Sequence, residues 1–213
     1  MNAQGKRSGE TAREYAYRMI REQVISLELK PGEAFNDMEF AAKIGVSRTP
    51  VREAVIQLSE ESRIIEIFPQ RGMRIAPIDV ELVEEARSLR VLLEKQIAGM
   101  CCEMATEEDI KWLQENVGLQ EFYMENSRPE MVMQLDDEMH HKLFMICHRE
   151  LTYGMCQKLA IHYDRIRSLS VNTVKDNTII EDHRKIIQFI AEHKKENAMA
   201  QMEKHLSRWQ LNE

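Results

Sequence analysis

Four side chains in the second half of the chain have the types and spacing of a metal site. Asp136 and His140 stand four residues apart, about one helical turn, inside an apolar row made by Val132, Leu135, Met139, Leu143 and Cys147. His183 falls in the middle of a second row, Ile179, Ile180, Ile186, Ile187 and Ile190; His205 falls in a third, Ala198, Met202, Leu206 and Trp209. Helices that turn these rows inward bury the polar groups with them, at a cost on the order of several kcal/mol unless the groups satisfy one another. Three imidazoles and one carboxylate suit a divalent ion of the Zn, Ni or Mn type, with positions left for water or a ligand. The alternative is a polar network in the core.

Arg90 shares a face with Val83, Ala86, Leu93 and Ile97, which aims its guanidinium into the interior. It either pairs with Glu94 one turn on or clamps the carboxylate of an effector bound near the metal. His162 borders a row through Met155, Leu159, Tyr163 and Ile166 and is a further pocket candidate. Asp137 and His141, on the far side of their helix, read as an exposed pair, and His148 and His193 as surface residues.

A second constellation lies near the start, in Val46-Ser-Arg-Thr-Pro-Val-Arg-Glu-Ala54. Ser47 can cap a helix, and Pro50 is tolerated in a first turn, whose N–H groups have no partner within the helix. Arg48, Thr49 and Arg52 then project from the helix start, where side chains and free N–H groups meet phosphates and base edges. Directly before it, Asn36 reads as the cap of a short helix over 37–44 that Gly45 stops in the left-handed region. Helix, glycine turn and arginine-rich helix start form a helix-turn-helix, and its target is double-stranded DNA.

The elements that must position these groups follow from periodicity. Residues 1–10 read as a disordered leader, and a helix over 11–27 carries Tyr15, Met19, Val24 and Leu27 until Lys30-Pro31-Gly32 ends it. Helices over 37–44 and 48–60 lead to a two-stranded hairpin, 64–68 and 73–76, whose turn Pro69-Gln-Arg-Gly72 puts Arg71 and Gly72 at the tip of a wing. A winged helix-turn-helix domain over 11–76 and a linker over 77–79 result. From 80 to 213 the pattern is wholly helical, with helices near 80–104, 107–124, 129–148, 150–170, 178–193 and 196–211. The fold class is mainly α, a winged helix followed by an antiparallel bundle of six or seven helices.

Bulk properties fit a DNA-binding half and an acidic half. The 213 residues carry a net charge of −7, yet residues 1–78 hold 12 basic against 11 acidic side chains and the remainder 17 against 25. No apolar run is long enough to span a bilayer, and Met1–Glu10 has no apolar core of an export signal, so no membrane partner is expected and the location is cytoplasmic. Cys101, Cys102, Cys147 and Cys156 form no CxxC pair and read as reduced core thiols.

Leu29-Lys-Pro-Gly32, Gly45 to Ala54 and Pro69-Gln-Arg-Gly72 resemble the amino-terminal domain of GntR-family bacterial transcription regulators. Arg90-Val-Leu-Leu-Glu94, Asp136-x-x-x-His140, Asp182-His183 and His205-Leu206 resemble the FadR-type (FCD) ligand-binding domain of that family. The resemblance implies a homodimer on a short palindromic operator, usually repressing, released by a small organic acid. It implies metal ligation by Asp136, His140, His183 and His205, and DNA contacts at Arg48, Thr49, Arg52 and Gly72, with Ser47 and Arg71 beside them. Two departures stand out: Met38 occupies a place where several relatives carry arginine, and Glu61-Ser-Arg63 replaces a glycine-containing turn. A metal-sensing regulator without an organic effector is the alternative. A metalloenzyme fits less well, because no general base lies on the inward faces.

Overall fold

A computed structural model describes residues 5–173 and 178–208, which divide into two compact units, Met1–Val80 and Glu81–Glu213. The first contains α1 (Ala12–Ile25), β1 (Ala34–Phe35), α2 (Asp37–Ile44), α3 (Arg48–Ser62), β2 (Ile65–Phe68) and β3 (Gly72–Ile75). Helix α1 opens on a capping box in which Thr11 and Glu14 satisfy each other's backbone N–H. Its buried face is Tyr15, Ala16, Ile20, Gln23 and Val24, which corrects the row expected from the sequence. Met19 and Leu27 are only half-buried, because Ala16, Ile20 and Val24 repeat every four residues and hold one face toward α3. Ile20, Val24, Val51, Ala54, Val55, Leu58, Ile64 and Ile75 are fully buried and make the core of this unit.

Asn36 caps α2 by accepting from the Met38 and Glu39 N–H groups at 3.0 and 3.3 Å. Gly45 ends α2 with φ 74°, in the left-handed region that costs other residues about 1–2 kcal/mol. Gly45→Ala stiffens the unfolded chain, which offsets about 0.4–1 kcal/mol of that. The net loss expected is about 1 kcal/mol in urea unfolding; an unchanged midpoint would show that the turn relaxes freely. Arg63 takes the same region at the end of α3, with φ 54°, so this turn forms without glycine.

Strands β2 and β3 pair antiparallel from Ile65 with Ile75 to Phe68 with Gly72, and Arg71 N–H closes the turn on the Phe68 carbonyl at 3.0 Å. Gln70 and Gly72 hold φ of 62° and 103° to turn the chain back. The expected hairpin is part of a three-stranded sheet, order β1-β3-β2, because Ala34 and Phe35 add to the other edge of β3. A two-residue strand is too short to show alternation in sequence. Within the segment expected to be a leader, Arg7 N–H and the Arg18 guanidinium both donate to Glu10, at 2.8 Å, and residues 1–4 lie outside the described residues.

The second unit contains α4 (Val80–Met104), α5 (Glu107–Glu125), α6 (Pro129–Ile146), α7 (Glu150–Thr173), α8 (Thr178–Ala191) and α9 (Lys195–Ser207). Thr106 and Asp109 form the capping box that starts α5. Residues 209–211 of the expected last helix, with Trp209, lie outside the described residues. Ile97, Ala98, Leu113, Met139, Leu143, Ile186, Ile187 and Met202 belong to one shared core. Helix α7 departs from the one-sided pattern: every residue from Ala160 to Arg165 is buried, as in a helix packed on all sides. All four cysteines are free and buried.

Candidate metal centre

Helix α6 supplies Asp136 and His140, α8 supplies His183 and α9 supplies His205, and all four side chains are buried. One ligand atom from each lies within 4.8 Å of every other. His183 Nε2 stands 3.2 Å from Asp136 Oδ1 and 3.3 Å from His205 Nε2, and His140 Nε2 is 3.9 Å from the same carboxylate oxygen. The rows read in the sequence thus converge because α6, α8 and α9 each turn one apolar face inward. Asp182, fully buried beside His183, accepts from Gln201 Nε2 at 2.7 Å and from Arg208, which ties α8 to α9 and fixes the spacing of their histidines.

The groups around the four decide what the nitrogens can do. Gln120 Nε2 donates to Asn116 Oδ1 at 2.7 Å, so its Oε1 is left to accept the His183 Nδ1–H at 2.9 Å. His183 Nε2 then presents a lone pair to a carboxylate oxygen, an arrangement that a cation between them stabilises. His140 Nδ1 lies against Glu94, whose other oxygen takes Arg90 Nε at 2.6 Å. His140 Nε2 is buried without a hydrogen-bond partner. Arg167 on α7 clamps the remaining oxygen of Asp136 and bonds Asp137 and Asp164 at 2.9 Å each.

Charge states follow from these contacts. Burial works against ionising Asp136, but Arg167 and the neighbouring imidazoles together hold its carboxyl well below the usual range. Glu94 is likewise held down by Arg90 and His140 despite its burial. Burial lowers His183 and His205 below the ordinary histidine value, which keeps both imidazoles neutral and able to ligate. Buried donors of this chemistry, with an unpartnered Nε2 aimed at a carboxylate, fit a divalent cation.

Arg90 is buried as expected, pairs with Glu94 and borders a cavity. That cavity, about 20 Å³, is lined by Arg90, Asp136, Tyr163, Arg167 and His205 among others. His162 is buried on α7 but is not among the lining residues. Asp137 and His141 are not an exposed pair: Asp137 turns to Arg167, and His141 stacks on Tyr153 with ring centroids 4.4 Å apart. Arg167 and Gln120 escaped the sequence reading because α7 and α5 carry polar residues on faces that a one-sided helix would leave in water, and Tyr163 was read only as a member of an apolar row. The opposite charges of Asp164 and Arg167, three residues apart, were the available signal.

On the first unit, Ser47, Arg48, Thr49 and Arg52 are exposed at the start of α3, and Arg71 and Gly72 are exposed at the wing. Ser47 holds the cap position but its side chain makes no cap bond, which corrects the expected cap. Arg48 Nε lies 3.0 Å from the buried carboxylate of Asp37. Met38 is exposed on α2.

Two family models match the chain: the bacterial regulatory proteins of the gntR family over residues 12–75, and the FCD domain over residues 85–208. The HTH-type transcriptional repressor RspR of Escherichia coli K12 is 30% identical over 158 residues, 74% of this chain and 69% of that protein. An HTH-type transcriptional regulator in an unstable DNA locus of Streptomyces ambofaciens is 29% identical over 204 residues, 93% of this chain and 84% of that one. Among solved structures, E. coli McbR/YncC shares the fold, with a TM-score of 0.77 at 18% identity over 93% of this chain and 94% of that one. No helix among the described residues is long and apolar enough to cross a membrane. The chain belongs to the GntR family of bacterial transcription regulators, with an FCD domain after its DNA-binding domain, and is not an enzyme.

Proposed function

We propose that this regulator is a repressor that binds a palindromic operator as a homodimer and answers to a small carboxylate held beside a divalent metal. The observation that carries the reading is the buried convergence of Asp136, His140, His183 and His205 on one point, with Arg90 bordering the adjacent cavity. The printed name of RspR, a repressor, supports the sign of the response. DNA is read by Arg48, Thr49, Arg52, the backbone at Ser47 and the wing at Arg71 and Gly72. Bound metal supplies a Lewis acid for the acid's oxygens, and Arg90 meets its carboxylate. The domain sits over 80–213, after a linker at 77–79, and the acid acts by favouring bundle conformations with lower affinity for DNA.

A second reading, response to the metal alone, is favoured by the size of the cavity: 20 Å³ holds a water molecule and no more. The two separate in one experiment. Operator duplexes selected from random DNA are titrated with metal-loaded protein and a panel of carboxylic acids. At least one acid is expected to lower DNA affinity tenfold or more, and only when metal is present. If chelation alone releases the DNA and no acid acts, the metal is the signal.

A further inference from the structure

Two of the buried thiols meet. Cys101 on α4 and Cys147 at the end of α6 are 46 residues apart in the chain, yet their sulfurs lie 3.5 Å apart, in van der Waals contact. Cys101 Sγ is also 3.4 Å from the Leu143 carbonyl of α6, and Cys147 Sγ 3.6 Å from the Ile97 carbonyl of α4, so each thiol reaches across the seam between the two helices. Cys102 points elsewhere, toward the Ala98 and Phe189 carbonyls.

The two sulfurs are not equivalent. A hydrogen bond from Cys101 lowers the Cys147 thiol against the effect of burial, helped by the Arg149 cation, and the same contact raises Cys101. Cys147 is therefore the nucleophile of the pair and Cys101 its proton donor. Both are buried, but Cys147 precedes a turn, His148-Arg149, whose side chains are exposed and in which His148 holds φ 53°. Local opening of that turn bares Cys147 to a water-sized oxidant without unfolding the bundle.

The seam also carries a contact of the metal cluster. Glu94 and Cys101 are seven residues apart on α4, and His140 and Cys147 are seven apart on α6, about two turns in each case. Glu94 touches His140 Nδ1, so the thiols share a seam with the carboxylate that orients a candidate metal ligand. A disulfide needs its sulfurs about 2 Å apart, so forming one draws the helices together here and displaces that contact. Groups that orient a metal ligand are worth about 10–100-fold in metal affinity.

We propose that Cys101 and Cys147 are a reversible redox site, oxidised by hydrogen peroxide to an intramolecular disulfide that weakens metal binding at Asp136, His140, His183 and His205. The Cys147 thiolate attacks one peroxide oxygen; the O–O bond breaks, and the leaving hydroxide takes up the thiol proton as water. The Cys101 sulfur then attacks the sulfenic sulfur; the S–O bond breaks, and the hydroxyl leaves with the Cys101 proton as a second water. Two thiols become one disulfide, and one peroxide becomes two waters. The effect on the cluster rests on the metal reading; the disulfide does not.

The test treats zinc-loaded full-length protein with hydrogen peroxide, alkylates the remaining thiols and maps the peptides without reduction. Zinc affinity is measured before and after by competition with a chromogenic chelator. The expected result is a Cys101–Cys147 cross-linked peptide with Cys102 and Cys156 alkylated, a zinc affinity at least tenfold lower, and reversal of both by dithiothreitol. Cys147→Ala is expected to bind zinc as the reduced wild type does and to ignore peroxide. Absence of the cross-link, a cross-link that leaves zinc affinity within twofold, or an equal loss in Cys147→Ala overturns the proposal while the metal reading stands. Reduced wild type that binds no zinc overturns the metal reading and the coupling with it, and the cross-linked peptide alone then decides the redox site.

Discussion

Replacing His183 and His205 together by alanine is expected to abolish stoichiometric metal binding. The pair provides two of the four converging side chains, and their facing Nε2 atoms lie 3.3 Å apart. Asp136 and His140 remain in the variant, on one helix, and a two-ligand remnant does not retain an ion through dialysis against a chelator. Elemental analysis of the dialysed proteins reads the outcome directly. A second readout is thermal: an ion present at about a thousand times its dissociation constant stabilises the folded state by about 4 kcal/mol. The wild type should therefore melt lower when chelated, and the double variant should melt alike with and without chelator. A plain polar network predicts something else, namely wild-type protein that holds no ion and ignores the chelator. Retention of a full equivalent by the double variant would place the metal elsewhere.

Arg52→Ala is expected to lower operator affinity at least tenfold without disturbing the fold. Arg52 is exposed on α3, one turn beyond Arg48, and has no ion-pair partner among the described residues. Surface substitutions of that kind change stability by roughly 0.5 kcal/mol or less. Arg48, in contrast, is already held by Asp37, so its truncation also strands a buried carboxylate and reads less cleanly. A tenfold loss corresponds to about 1.4 kcal/mol, within the range of one good contact to a base or a phosphate. If the contact is to phosphate, the salt dependence of binding falls by about one unit of slope; if it is to a base, one operator position loses its preference. Gel-shift titration at two salt concentrations separates these. Unchanged affinity would remove Arg52 from the interface.

Much of the molecule follows from local rules that act within one or two turns. The glycine stop at Gly45, the caps at Asn36 and Thr106, and the period change at Ile64 each fix an element boundary through backbone chemistry alone. Rows of apolar side chains interrupted by Asp136, His140, His183 and His205 were legible for the same reason: a 3.6-residue period states which side chains share a face. Where a boundary moved, as at β1 or on the buried face of α1, the deciding contact came from a strand or helix distant in sequence.

What the tertiary structure alone decided is the surroundings of the candidate site. Arg167 on α7 reaches Asp136 from 31 residues away, and Gln120 on α5 orients His183 across 63. Periodicity does not rank such pairs, because it says which face of a helix is buried and not which neighbour it meets. Helix α7 is the plainest case: its sequence offers Asp164, Arg165 and Arg167 as solvent groups, and the bundle buries all three. The sequence by itself therefore determined most of the elements, the domain families and the four inward-facing residues of the candidate site, since these rest on short-range geometry. Packing alone determined which nitrogen of His183 faces Asp136 and which guanidiniums border the cavity, since these depend on how faces far apart in the chain are brought together.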